Sequence, residues 1–294
     1  MPFYTPLRYP GGKRKLYELV RDIIKFNRLE KCAYVEPYAG GAGLALSLLF
    51  NDVVGSIYLN DFSRPLFAFW DSVLNHTGKF CDLIENTPVT MDEWYKQKAI
   101  QDNSRSAMLL KLGFSTFFLN RTNRSGILKG GVVGGKKQDG AWKLDARFSK
   151  KNLIKRIKDI AAYRGQIFIE NMDAQDYLKA IVTRLNTHAS LIYFDPPYYE
   201  KGAALYDNFY NKEDHASVAK DIQALPFHWI VSYDNQPEIQ YLYQSYEAIT
   251  YSFYYTAQNK KPGSEFMTIS PTLSFCKFSD SFQYHTIRDL KKVI

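Results

Sequence analysis

The chain has 294 residues, 46% of them hydrophobic and 23% charged, with 38 Lys and Arg against 30 Asp and Glu, a net charge of +8. That length and composition supply a sizeable core and exclude a collagen, a disordered tail protein and a disulfide scaffold. The basic balance is compatible with a polyanionic partner.

The charge is unevenly placed. Residues 111–164 hold fourteen basic and three acidic side chains, a net of +11, and the remaining 24 basic and 27 acidic residues give −3. So local an excess favours contact with nucleic acid over a merely solvated face. The cysteines, Cys32, Cys81 and Cys276, show no CxxC spacing, so neither a metal site nor a redox pair is expected. Their odd number, and a basic N-terminus that leads into no apolar leader, predict a reducing, cytoplasmic setting. No apolar stretch approaches the ~20 residues of a membrane span.

In chain order, residues 33–36 read as a strand that enters Pro37-Tyr38-Ala39-Gly40-Gly41-Ala42-Gly43, followed by a helical run at 44–50. A second strand at 56–59 ends at Asn60-Asp61. Strand, glycine turn, helix and a strand ending in a carboxylate make a βαβ unit. Glycines let the backbone approach a ligand too closely for any Cβ. Asp61, twenty residues after Gly41, suits the ribose hydroxyls of a nucleoside cofactor, and NAD or S-adenosylmethionine fits these residues equally.

The alternation then breaks. Residues 66–74, 91–101 and 107–119 have apolar side chains at helical spacing. Six glycines mixed with lysines crowd 125–140, which reads as a basic loop or hairpin. Strand-like runs resume at 166–169, 190–194 and 228–232. The whole predicts a doubly wound α/β sheet, with ligands at the carboxyl ends of its strands, interrupted by a mostly helical insertion over 63–164.

Asp195-Pro196-Pro197-Tyr198 closes the strand at 190–194. A specified four-residue string occurs by chance about 0.002 times in a chain this long. An exocyclic amine conjugated with a purine ring is a poor nucleophile. Two acceptors on its NH2 would draw the nitrogen towards sp3 and localise its lone pair. The Asp195 carboxylate supplies one acceptor and the Pro196 carbonyl the other, and the locked φ of Pro196 and Pro197 fixes that carbonyl's direction. Tyr198 can stack on the ring. Positioning and electrostatic preorganisation would then carry the reaction.

With these motifs in this order, nearly the whole chain resembles the Dam-type family of DNA adenine-N6 methyltransferases. The resemblance implies a Rossmann-like methyltransferase sheet, S-adenosylmethionine as cofactor and double-stranded DNA as partner. The inserted target-recognition domain at 63–164 would carry a basic β-hairpin, between catalytic parts at 1–62 and 165–294. Leu7-Arg8-Tyr9-Pro10-Gly11-Gly12-Lys13 is similar to the family's N-terminal cofactor motif, which places Tyr9 and Lys13 in the site. The segment Glu36, Pro37, Tyr38, Ala39, Gly40, Gly41 resembles the cofactor loop, with Tyr38 for Phe and Ala42 at the second glycine position. Asp61 corresponds to the ribose-binding acid. Asp173 and Ala174 match the pair that holds the cofactor adenine, with Ala for the usual Phe. The segment 117–128 resembles the target-recognition segment, so Asn120, Arg121 and Arg124 become DNA-contact candidates, for bases or for phosphates. Lys129, Lys136 and Lys137 are expected on phosphates. Ser264-Glu265-Phe266-Met267, after the basic 259–262, resembles the loop and strand near the end of the catalytic domain.

The expected reaction is methyl transfer to N6 of an adenine flipped out of the duplex, because a stacked base cannot reach a strand-end pocket. Three other readings compete. An RNA or protein-amide methyltransferase could use a related strand-end motif. An NAD enzyme leaves Asp195 to Tyr198 unexplained, and a non-enzymatic DNA-binding regulator has no use for a cofactor site. A cognate restriction endonuclease is a further partner that the resemblance admits. Recognition sequence, oligomeric state and bacterial or phage origin stay open.

Overall fold

A computed structural model of the chain describes residues 3–8, 12–199, 210–253, 263–276 and 284–286. The five short apolar runs read from the sequence form the parallel part of one sheet. They are β1 (Ala33–Glu36), β2 (Ser56–Asn60), β3 (Ile167–Glu170), β4 (Ser190–Phe194) and β5 (His228–Asp234). β1 pairs with β2 from Ala33↔Ser56 and with β4 from Ala33↔Ser190, which makes it a central strand. Every residue of β4 is buried, as a parallel strand covered on both faces requires.

Three more strands close one edge: β6 (Ala248–Phe253), β7 (Gly263–Ile269) and β8 (Tyr284–Thr286). The strand order is β3-β2-β1-β4-β5-β7-β6-β8, with β7 antiparallel to β5 and β6, and β8 antiparallel to β6. The order reverses between β1 and β4, the switch point at which an open α/β sheet leaves a crevice beyond its carboxyl strand ends.

Alternate residues of each strand feed two cores. Tyr34, Ile57, Leu191, Tyr193 and Ile230 join the core on one face, and Val35, Ile192, Phe194, Trp229 and Val231 the core on the other. The first is covered by α1 (Tyr17–Phe26), α2 (Gly43–Phe50) and the insertion, and the second by α8 (Ala174–Val182), α9 (Lys212–Gln223) and α10 (Pro237–Leu242).

Within the insertion, α3 (Arg64–Asn75), α5 (Met91–Asp102) and α6 (Leu109–Thr122) match the three helical patterns in the sequence. α4 (Thr77–Asn86) and α7 (Lys150–Ala161) complete it. Phe69, Trp70, Phe80 and Phe117 lie in the same apolar core as Leu44 of α2 and Leu59 of β2, so these helices pack as an extension of that layer.

The expected basic β-hairpin takes another form. Among the described residues, 123–148 contain a single bridge, Asn123↔Val132, and turns. Two backbone bonds flank the bridge, from the Arg124 N–H to the Gly131 carbonyl and from the Val133 N–H to the Thr122 carbonyl, and side-chain amides brace the rest. Asn123 donates to the Ile127 and Leu128 carbonyls, and Gln138 to those of Val133 and Gly135. Gly126, Gly134 and Gly135 have positive φ, a backbone that tight turns can use and a flat ladder cannot. Val132, Leu144 and Phe148 anchor the segment in the core. No helix among the described residues is long and apolar enough to cross a membrane.

Candidate active site

The site begins where β1 ends. Glu36 is buried, and the chain then turns through Pro37 to Ala42 into α2, with Gly40 at φ +48° and Ala42 at φ +46°. Neighbouring elements hold this loop from several sides. The Ala39 N–H donates to the Asn60 carbonyl, the Gly40 N–H to Asp61 Oδ2 at 2.9 Å, and the Trp70 indole N–H to the Gly40 carbonyl. The second Asp61 oxygen accepts from the Ser63 N–H at 2.9 Å. Burial pushes the Asp61 carboxyl up to about 6, against the pull of those two N–H groups. In this structure Asp61 fixes the glycine loop through its own side chain.

Asn60, which no sequence motif marks for a role, ties two strand ends together. Its buried amide donates to the Pro37 and Met172 carbonyls and accepts from the Met172 N–H. The loop after β1 and the loop after β3 are thereby held together. Asp173 follows at once as the N-cap of α8, accepting from the Gln175 N–H, with its side chain exposed.

At the end of β4, Asp195 meets residues from both ends of the chain. Lys13, in a 3-10 turn (Lys13–Leu16), places Nζ 3.3 Å from Asp195 Oδ1, 2.9 Å from Glu265 Oε2 and 3.1 Å from the Tyr198 hydroxyl. Glu265 also accepts from the hydroxyls of Tyr198 at 3.1 Å and Tyr251 at 2.8 Å. Burial opposes the Lys13 charge, yet Asp195, Tyr251, Glu265 and Tyr198 together hold it well above the usual lysine range. Burial raises Asp195 to about 6, with Lys13 pulling the other way and Glu265 adding to the rise. Ser232 Oγ donates to Asp195 at 3.4 Å and is itself bonded to the Tyr193 hydroxyl. Glu36 is pushed furthest, to about 8, by burial, although Tyr34 and the Ala45 N–H both donate to it.

Of these groups, Lys13, Glu36, Tyr193 and Asp195 open on one cavity of about 690 Å3, within the ~300–1,000 Å3 of small-molecule sites. Of the residues singled out in the sequence, Lys13, Glu36, Tyr38, Ala39, Gly41, Arg121 and Asp195 line it. Pro37, Gly40, Asp61, Asp173, Ala174 and Tyr198 are not part of that lining, although Asp61 bonds the loop at Gly40 and Tyr198 bonds Lys13. Pro196 and Pro197 continue the strand-end turn, and Tyr9 lies outside the described residues. The DNA-contact candidates divide. Arg124, Lys129, Lys136 and Lys137 are exposed. Asn120 is a correction: its side chain is 2% exposed, accepts from the Arg8 N–H and donates to the Arg8 and Gly126 carbonyls, so its amide is spent inside the protein and none is left for a base. Glu265 belongs to a motif visible in the sequence, but its role at Asp195 has no local signal, since its partners Tyr198 and Lys13 lie 67 and 252 residues away.

Comparison with curated proteins gives no match. Among solved structures, a crystal structure of protein LPL1258 from Legionella pneumophila str. Philadelphia 1 is 12% identical and covers 86% of this chain and 85% of its own, with a TM-score of 0.31. So low a score bears on neither fold nor function. The decisive comparison is with a family model: residues 9–257 match the D12 class N6 adenine-specific DNA methyltransferases. That match spans the loop after β1, the helices between β2 and β3 and the Asp195 turn, and the chain belongs to this family.

Proposed function

We propose how the residues of this S-adenosylmethionine-dependent DNA adenine-N6 methyltransferase divide the work. The observation that carries the reading is the shared cavity, in which the glycine loop after β1 and Asp195 after β4 face one another across the switch point.

The cavity suits the cofactor. Its wall is apolar at Tyr38, Ala39 and Leu44, has Gly41 where a side chain would obstruct, and carries the Lys13 ammonium, the Asp195 carboxylate and the carboxyl group of Glu36. When bound, S-adenosylmethionine supplies an electrophilic methyl group on a positively charged sulfur. Lys13, Glu36, Tyr38, Ala39 and Gly41 are the residues assigned to hold it, with Asp61 shaping the loop. Asp173 and Ala174, at the start of α8, are assigned to the adenine end.

The target is an adenine turned out of duplex DNA, with its amine between the Asp195 carboxylate and the Pro196 carbonyl. Asp195 has to be ionised to accept. With its pKa near 6 it is so at neutral pH. Lys13 neutralises part of that charge without capping both oxygens, so an acceptor remains for the amine. Tyr198 has its hydroxyl fixed by Lys13 and Glu265, which supports a ring held still enough to stack on the base. The amine proton becomes acidic once the nitrogen is methylated, so no separate general base is invoked. Residues 63–164 are assigned to target recognition, with Arg124, Lys129, Lys136 and Lys137 on the DNA.

The test supplies methyl-labelled S-adenosylmethionine with unmethylated duplex DNA and, separately, with RNA, and maps the modified positions. Label at N6 of adenine in duplex DNA is expected, with loss of about 100-fold or more in Asp195→Ala. Label confined to RNA, or full activity in Asp195→Ala, would sink the assignment.

A further inference from the structure

The cavity that holds Asp195 has a second wall with chemistry of its own. Arg8, Arg121, Arg147 and Arg156 all line it. They come from four places: the N-terminal segment, the end of α6, the turn before α7, and α7 itself. No Asp or Glu pairs with any of them among the described residues. Their acceptors are main-chain carbonyls. Arg8 donates to Asn123, Arg121 to Arg147 and Pro6, and Arg156 to Thr5. Arg147 is exposed, and among the described residues its side chain makes no hydrogen bond or ion pair.

Four guanidinium groups around one space repel one another. Arg121 is depressed to about 10, by burial and then by Arg8, Arg156 and Arg147, and Arg8 is lowered by burial and by Arg147. The fold tolerates this repulsion although, among the described residues, no Asp or Glu is paired with any of the four; Glu36 and Asp195 line the same cavity without bonding to them. A bound anion would relieve it, and a guanidinium fork matches the oxygens of a phosphate.

We propose that Arg8, Arg121, Arg147 and Arg156 form a phosphate-binding subsite of the catalytic cavity, and that its ligand is a phosphodiester of the DNA strand being methylated. A nucleotide whose base enters towards Asp195 brings its phosphate to the cavity mouth. The subsite grips that phosphate apart from the lysines of the 125–140 segment, and the bound phosphate adds a further link to the hydrogen bonds that already join the N-terminal segment to the insertion. The identity of the ligand rests on the DNA methyltransferase reading, whereas the anion site itself does not.

The experiment uses the full chain, its Arg147→Ala variant and the double variant Arg147→Ala with Arg156→Ala. Arg147→Ala removes no internal side-chain bond and one repelling charge, so its melting temperature without ligand should be no lower than that of the parent protein. Inorganic phosphate should raise the melting temperature of the parent protein and lose that effect in both variants. DNA affinity should fall about tenfold at moderate salt, and the slope of log K against log salt should flatten by roughly 1. S-adenosylmethionine affinity, measured by calorimetry, should hold. Equal protection by phosphate in the variants overturns the subsite. Lost phosphate protection with unchanged DNA affinity and salt slope overturns the phosphodiester assignment, and loss of S-adenosylmethionine affinity alone shows that the cluster serves the cofactor instead. If DNA proves not to be methylated but phosphate protection still depends on Arg147, the methyltransferase reading fails and the anion site stands.

Discussion

Lys13 and Glu265, 252 residues apart in the chain, meet as a buried ion pair with 2.9 Å between Nζ and Oε2. Asp195 stands 3.3 Å from the same ammonium and is the more exposed of the two carboxylates. Glu265 therefore sits closer to Lys13, takes up the Tyr198 and Tyr251 hydroxyls as well, and leaves Asp195 less engaged. That division makes Glu265 a positioning residue for Asp195 and Tyr198.

The consequence is a pH signature. Activity should fall with decreasing pH as Asp195 is protonated, with an acid limb near 6. Glu265 contributes to the upward shift of Asp195, so Glu265→Gln removes a repelling charge and leaves Lys13 to Asp195 alone. The acid limb of kcat/KM should move to lower pH in that variant, while kcat falls because one of the two oxygens that receive Tyr198, Tyr251 and Lys13 is replaced by an NH2 group. A variant that merely melts earlier, with the limb unmoved, would assign Glu265 to stability only.

The parallel half of the sheet is legible in the sequence because buried parallel strands read as short apolar runs with turn residues after them, as at 33–36 and 190–194. The antiparallel edge is not. Its strands, β6 to β8, mix polar residues such as Thr250, Ser252 and Glu265 among the apolar ones, and β5 pairs with β7 across the whole of α10 and β6. Helix α7 carries a readable pattern, since Leu153, Ile157 and Ile160 share one buried face, but the lysines between them make the run look like charge alone. The Asp195 turn can be read because its chemistry lies in four adjacent residues. Asn120 misleads for the opposite reason: an amide beside an arginine looks like a base reader, and only burial shows that it holds Arg8 and Gly126. Neither the Lys13–Glu265 pair nor the arginine cluster has a local pattern, since each is assembled by the fold from distant segments.

Gly126 offers a test of the seam between the N-terminal segment and the insertion. Its φ is +77°, and a Cβ there would fall on the Arg8 carbonyl oxygen. Gly126→Ala therefore combines backbone strain of about 1–3 kcal/mol with a displaced main chain. The expected outcome is a fall in melting temperature of several degrees and weaker DNA binding, because Arg8 moves with its carbonyl. Gly131→Ala, where a Cβ meets nothing within 4 Å, is the control and should melt close to the parent protein.

Lys129, Lys136 and Lys137 are exposed on the turn-rich segment, suited to phosphates and to no particular base. Replacing all three by Gln should weaken binding to every duplex about equally. It should also flatten the salt dependence of log K, by up to roughly 0.9 for each phosphate that is no longer neutralised. S-adenosylmethionine binding should be unaffected. Binding titrations on two unrelated duplexes across a salt series check this, and an unchanged slope would take the segment off the DNA.

Glu36 predicts an unusual dependence of stability on pH. Buried and bonded by Tyr34 and the Ala45 N–H, its carboxyl titrates near 8 in the folded protein, against about 4.3 in an unfolded chain. Between those values the folded state holds a proton that the unfolded state has released, so stability falls as pH rises. The contribution is complete below the unfolded value and is lost on passing through about 8. Asp61 and Asp195, each raised to about 6, act in the same direction over a lower window. Glu36→Gln keeps an acceptor for Tyr34 and Ala45 and cannot ionise, so it should remove most of the decline between pH 6 and 8 and leave the lower window in place. Denaturation midpoints in urea from pH 5 to 9, measured for both proteins, decide it. Parallel curves across that range would mean that Glu36 is already ionised in the fold.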